Sequence, residues 1–173
     1  MLALIAAIVG ASAVILGQLL NEAYKRHRDR QMTAKGIAAL IHGTLAMTER
    51  RSYVAYFEEL LRRLARQEPI KFERLLVRSG PDPITERYLD RVGLLAGDLP
   101  TRIAEFYQVL TGVQIDLMRL GDGEFDGNPA GAETMIRADI GLWKEFEAKA
   151  HILVRDLEAH ASARMRWADV IGG

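Results

Sequence analysis

The amino-terminal stretch constrains this chain more than any other feature. Residues 1–20 carry no charged side chain, and a basic cluster follows within the next ten residues. A helix rises about 1.5 Å per residue, so roughly 20 apolar residues cross a hydrocarbon core about 30 Å thick. A charge-free stretch of this length with a basic flank is typical of one membrane-spanning helix. The sequence therefore predicts a transmembrane anchor over residues 1–23.

Two other interpretations of this stretch remain open, namely a cleaved signal peptide and a buried core helix. A signal peptide usually has its basic residues before the apolar run and a small-residue cleavage site after it. Here the basic cluster follows the run, and Ala11, Ser12 and Ala13 lie inside it. The order of these features favours a retained anchor.

The basic cluster also predicts orientation, because basic residues near a span stay on the cytoplasmic side. We expect a single-pass protein of the bacterial inner membrane, with the amino terminus outside and the carboxyl terminus in the cytoplasm. The cluster can also contact anionic lipid head groups. These candidate contacts are Lys25, Arg26, Arg28 and Arg30.

A stripe of small residues runs along the predicted anchor at alternating steps of three and four: Ala3, Ala6, Gly10, Ala13 and Gly17. Such a face lets helix backbones approach closely in lipid, where packing drives association. It predicts a homo-oligomer or a membrane-protein partner. The alternative is that Ala and Gly only fill a spanning helix, in which both are common.

Helical periodicity continues through the rest of the chain, and no alternating strand pattern with hairpin turns interrupts it. Residues 24–67 are predicted to form a juxtamembrane segment and one long helix that ends before Pro69. Residues 68–173 are predicted to form the rest of the bundle. Within them we expect short helices near 72–77 and 84–92, a helix from Asp98 to Gly121, a loop over 121–132 and a final helix over 133–167.

The two later helices each carry an apolar stripe that must be buried against another element. One stripe comprises Ile103, Phe106, Tyr107, Leu110, Val113, Leu117 and Leu120, and the other comprises Ile136, Ile140, Trp143, Phe146, Ala150, Leu153, Leu157 and Ala161. The fold class predicted from these patterns is all-α: one amino-terminal transmembrane helix followed by a cytoplasmic antiparallel helical bundle.

A resemblance rests on residues 88–95, which read YLDRVGLL, followed by Leu99, Pro100 and residues 103–107. This run resembles a pattern in uncharacterised bacterial membrane-anchored helical proteins. The resemblance implies a bacterial source and a similar helical architecture, and it implies no activity.

Composition argues against several classes of chemistry. The chain has no cysteine, which excludes disulfides, thiolate catalysis and zinc–thiolate sites. Its 23 basic and 23 acidic residues give zero formal net charge, so no overall field recruits nucleic acid. One pair of arginines lies at 50–51 and three more lie within 62–66. Glutamates are interleaved with both groups, so we interpret them as a solvated helix face. No nucleotide-binding or hydrolase motif is present, so we predict a non-enzyme without a cofactor.

One loop has the spacing of a calcium-binding EF-hand. Residues 122–133 place acids at positions 1, 3 and 5, Gly at 6 and Glu at 12. Against this interpretation, position 3 is Glu124, position 8 is Pro129, and the preceding helix ends at Gly121. We therefore expect a solvated connection between helices and no metal site.

The histidines are interpreted as structural or surface residues. Glu147 and His151, and Asp156 and His160, are spaced by four on the last helix, which is typical of surface pairing. His42 adjoins an apolar stripe and is predicted to be partly buried.

The function favoured by these features is a membrane-anchored interaction, scaffold or sensing protein at the inner face of the membrane. The alternative is an accessory subunit of a membrane complex, such as a transporter or a phage-encoded membrane factor, that binds mainly through its transmembrane helix.

Overall fold

The structure is a computed structural model that describes residues 2–68 and 83–165, with the backbone alone for residues 2–9 and 11. Its helices are α1 (Leu2–Arg51), α2 (Tyr53–Ala65), α3 (Pro83–Leu89), a 3-10 turn (Val92–Leu94), α4 (Leu99–Gly121) and α5 (Pro129–Ser162). The described residues contain no strand, so the all-α prediction is confirmed. The predicted short helix at 72–77 lies outside the described residues.

The first helix is a single rod of 50 residues, which corresponds to a length of about 75 Å. It ends earlier than predicted, because Ser52 adopts a left-handed conformation with φ +48° and separates α1 from α2. The Ser52 hydroxyl donates to the carbonyl of Glu49 at 3.4 Å, a local bond that competes with helix continuation. The prediction of one helix through residue 67 is therefore wrong at this residue.

The last helix, α5, is the centre of the bundle, and α1, α2 and α4 all pack against it. Gln31 of α1 donates from Nε2 to the carbonyl of Ala163 at 2.9 Å, just past the end of α5. Arg102, at the start of α4, binds Asp156 near the same end at 2.9 Å. The helices α1 and α4 therefore run antiparallel to α5.

The predicted apolar stripes form the core. On α4, all but Tyr107 and Leu110 of the predicted stripe are buried, and those two pack against the core. On α5, all but Ile140 are buried. The ring centroids of Phe106 and Phe146 lie 4.5 Å apart in a stacked arrangement, which joins α4 to α5.

The boundaries of α5 differ from the prediction. The helix begins at Pro129, four residues before the predicted start at 133, because the Asn128 side chain caps it by accepting from the backbone amide of Gly131 at 3.0 Å. The helix ends at Ser162, and residues 166–173 lie outside the described residues. The predicted cap at Asp98 is positioned correctly, but its side chain makes no capping hydrogen bond.

Candidate functional site

The amino-terminal part of α1 extends past the bundle. Burial on α1 begins at Ala23 and continues through Thr33, Ala34 and Ile37, whereas Gly10 and residues 12–22 are exposed. We name residues 10–22 the apolar arm. Val14 and Leu16 are 61% and 59% exposed. Runs of exposed apolar side chains are common on surfaces that contact a membrane or a partner.

The basic cluster lies where the apolar arm meets the bundle. Lys25, Arg26 and Arg28 are exposed and Arg30 is half-buried, while the neighbouring Ala23 is buried. Cationic groups are thus displayed around α1 at the boundary between its exposed and its packed parts. This placement fits contact with lipid head groups, which stays a prediction.

The small-residue stripe is exposed where the structure describes it. Gly10, Ala13 and Gly17 are exposed, and a Cβ atom added at either glycine would have no neighbour within 4 Å. The side chains of Ala3 and Ala6 lie outside the description. Association through this face stays a prediction.

Over the described part of the chain, none of the helices combines the length and the apolar character that crossing a membrane requires. The described residues therefore give no support to the predicted transmembrane helix. Residues 1–9 and 11, which make up much of the predicted anchor, lie outside the side-chain description.

The loop with EF-hand spacing has its own internal contacts. Both oxygens of Glu124, at position 3, bind the guanidinium of Arg119 at 2.6 and 2.7 Å, and this pairing lowers the pKa of Glu124. Glu133, at position 12, binds Arg137 at 2.7 Å. Positions 8 to 12 are the first turns of α5, whereas a calcium loop holds its ligands around one centre. Two of the ligands that such a loop needs are thus held by arginines.

These contacts predict that calcium does not bind here specifically. We expect isothermal titration of the full chain in detergent to give no saturable heat below about 1 mM calcium, a range that covers weak extracellular modules. The Glu133→Gln variant serves as the matched control. A saturable signal in the wild type that disappears in this variant would contradict the prediction.

Two carboxyl groups, the buried Asp139 of α5 and the half-buried Asp116 of α4, lie next to each other near that loop. Asp139 of α5 is 1% exposed and its Oδ2 atom has no hydrogen-bond partner among the described residues. Burial raises the pKa of Asp139 to about 7, and the charge of Asp116 and a hydrogen bond with it add to the rise. Asp116 itself binds Arg119 at 3.0 Å. The buried Asp139 was not predicted from the sequence.

A groove of about 450 Å³ lies between α4 and α5 on the outer side of the bundle. Its lining is mostly apolar and includes Phe106 and Phe146, and it also contains the charged residues Arg102, Glu105, Glu145 and Lys149. Leu142 at the edge is 48% exposed. The groove therefore offers a mostly apolar surface that also carries charged groups.

The remaining candidate residues do not converge on one site. His42 is exposed, so the prediction that it is partly buried is wrong. Because His42 directly follows the buried Ile41, it points away from the apolar stripe by the angle of one helical residue. Asp156 binds Arg102 at 2.9 Å, and this bond lowers the pKa of Asp156. No cluster of three metal-ligating side chains occurs among the described residues.

The arginines in the last turn of α2 and just after it form the solvated face that was predicted. Arg62 pairs with Glu59 at 3.1 Å, and Arg63 and Arg66 both pair with Glu68 at 3.4 Å. Exposed pairs of this kind contribute little to stability.

No family model, no curated protein and no solved structure matches this chain.

Proposed function

We propose that this chain is a single-pass membrane protein whose helical bundle binds a partner at the inner face of the membrane without catalysing a reaction. The observation that carries the proposal is the apolar arm. Its large side chains are exposed in the single chain, and residues 1–20 carry no charge. Apolar side chains in such a position are stabilised when lipid or another protein covers them and removes them from water.

The proposed location is the bacterial inner membrane, with the amino terminus outside. Lys25, Arg26, Arg28 and Arg30 would remain on the cytoplasmic side with the bundle. Because α1 is continuous through this region, the anchor and the bundle would be joined by helix and not by a flexible linker. Such a connection holds the bundle at a fixed distance from the membrane.

The bundle offers two features that suit an interaction protein. The groove between α4 and α5 combines a mostly apolar lining with charged groups, as protein interfaces often do. In addition, many ionisable side chains of the described bundle form ion pairs with one another, such as Arg102 with Asp156 and Lys149 with Glu145. Groups neutralised in this way are poor candidates for catalysis.

The alternative is an accessory subunit that binds a membrane complex mainly through its spanning helix. The exposed small residues Gly10, Ala13 and Gly17 favour it, because small residues permit close helix contact in lipid. The same face would serve a homo-oligomer of this chain.

Replacing the span separates these two proposals. In the test, residues 2–20 are exchanged for an unrelated apolar span of equal length, and proteins that co-purify in mild detergent are identified by mass spectrometry. We expect the partner set to survive the exchange, since the bundle is the interaction module. If the partners are lost when the span is exchanged, the accessory-subunit alternative is favoured. If no partner co-purifies with either the wild type or the exchanged variant, an interaction role is contradicted.

The matched control alters the groove and keeps the span. Leu142→Glu places a charge at the exposed edge of the groove, where it costs little folding stability. A partner that binds in the groove should be lost from the Leu142→Glu variant and should still co-purify with the variant that carries the exchanged span.

A further inference from the structure

We propose that Asp116 and Asp139 form a proton-binding site that controls how tightly α4 and α5 close at the end of the bundle remote from the apolar arm. One proton held between the two carboxyl groups keeps this end closed, and its loss loosens it. The proposal goes beyond the proposed function and depends only on the packing of α4 against α5.

Asp139 is almost completely buried. It lies on the core face of α5 between Ile136 and Trp143, which are themselves buried. The Oδ2 atom of Asp139 has no hydrogen-bond partner among the described residues. A charged carboxylate in such a place loses its hydration without replacement, whereas the protonated acid avoids most of this cost.

A charged group on α4 faces Asp139. The facing group is the carboxyl of Asp116, and a like charge disfavours ionisation of its neighbour. Arg119 neutralises Asp116 only in part, because its guanidinium also binds both oxygens of Glu124. The Arg119 side chain lies 5.4 Å from the centroid of the Phe125 ring in the adjoining loop.

The charged groups of α2 and of the end of α1 are paired or exposed to solvent. One turn away along α5, residues 135, 136, 142 and 143 are uncharged. On α2, Glu58 pairs with Lys144 at 3.5 Å, and Arg62 pairs with Glu59. At the end of α1, residues 49–51 are charged and exposed. Burial and, after it, the charge of Asp116 thus raise the pKa of Asp139.

The direction of the effect follows from the two states of Asp139. Its pKa is about 7 in the fold, whereas an unfolded aspartate titrates near ~3.9. The fold therefore binds the proton more tightly than the unfolded chain. The stabilisation is fully present below about pH 4 and is lost as the pH rises through about 7.

The site lies at the far end of the bundle. The apolar arm extends from the bundle at the end where Gln31 contacts Ala163, whereas Asp139 and Asp116 lie near the loop at residues 122–128 that joins α4 to α5. Loosening at this end exposes core side chains without moving the arm. Proton loss would thus change the surface of the bundle at the end remote from the apolar arm.

Trp143 provides a local reporter, because it lies one turn from Asp139 and is buried. The chain has two tryptophans, so Trp167→Phe leaves Trp143 as the single emitter. Acrylamide quenching of the full chain in detergent is measured from about pH 5 to about pH 9. We expect quenching to rise with a midpoint near pH 7 in this background, and the rise to vanish in Asp139→Asn.

Two variants keep the test decisive. Asp116→Asn removes the facing charge and offers an amide donor to Asp139, so the midpoint should fall by about one to two pH units. Glu145→Gln removes an exposed carboxylate on the same helix and should leave the midpoint unchanged. A flat wild-type profile, a transition retained in Asp139→Asn, or a midpoint unmoved in Asp116→Asn would each overturn the proposal.

Discussion

Replacing Gly36 with leucine is expected to destabilise the bundle by about 2–3 kcal/mol, because the ring of Tyr88 occupies the space that a side chain at residue 36 would need. A Cβ atom at this residue would overlap ring carbons of Tyr88. Gly36 is thus the position at which α3 approaches the backbone of α1. The expected result is a lower midpoint in denaturant, followed by circular dichroism of the full chain in detergent.

Gly43 supplies the matched control on the same helix. A Cβ atom there would have no neighbour within 4 Å, and the residue is exposed. Gly43→Leu should therefore stabilise the chain by up to about 1 kcal/mol through helix propensity alone. Adding Tyr88→Ala to Gly36→Leu should recover much of the loss, since it empties the contested space. Equal effects of leucine at both glycines would contradict the close approach.

The sequence predicted the parts of the fold that depend on local periodicity. The apolar stripes of α4 and α5 repeat at helical spacing, so their burial followed from the pattern. The end of α4 at Gly121 was predicted from a different signal, because glycine is common at the carboxyl ends of helices. Asn128 followed by Pro129 is a typical start of a helix, with a capping residue and then proline. This start of α5 was missed because the same residues were interpreted as part of a calcium-loop spacing.

Two features that residue spacing could not predict depend on contacts between distant parts of the chain. Asp139 interrupts the apolar stripe of α5, but its neighbour Asp116 is on another helix and could not be inferred from spacing. The role of Gly36 depends on Tyr88, which belongs to α3. The break at Ser52 differs from these two, because it involves a local hydrogen bond from the Ser52 hydroxyl to the carbonyl of Glu49.

The apolar arm remains the centre of this account. Its sequence predicted an anchor, and the side chains described from residue 12 to residue 22 are exposed. The described residues do not by themselves form a membrane-crossing helix. The proposal of an anchored protein therefore depends on residues 1–20 being covered by lipid.

Orientation in the membrane is the second prediction with a large effect. Because Lys25, Arg26, Arg28 and Arg30 follow the uncharged stretch, they should keep the bundle on the cytoplasmic side. Changing these four residues to glutamine and adding four lysines after Met1 should reverse the orientation. The reversal would establish that the basic cluster sets the topology.

The most direct measurement is a pair of carboxyl-terminal fusions expressed in a bacterial host. Alkaline phosphatase folds to an active form outside the inner membrane, whereas green fluorescent protein matures in the cytoplasm. The account predicts that the fluorescent fusion is bright and sediments with membranes, and that the phosphatase fusion is inactive. An active phosphatase fusion, or a bright fusion that stays in the supernatant after membranes are sedimented, would contradict it.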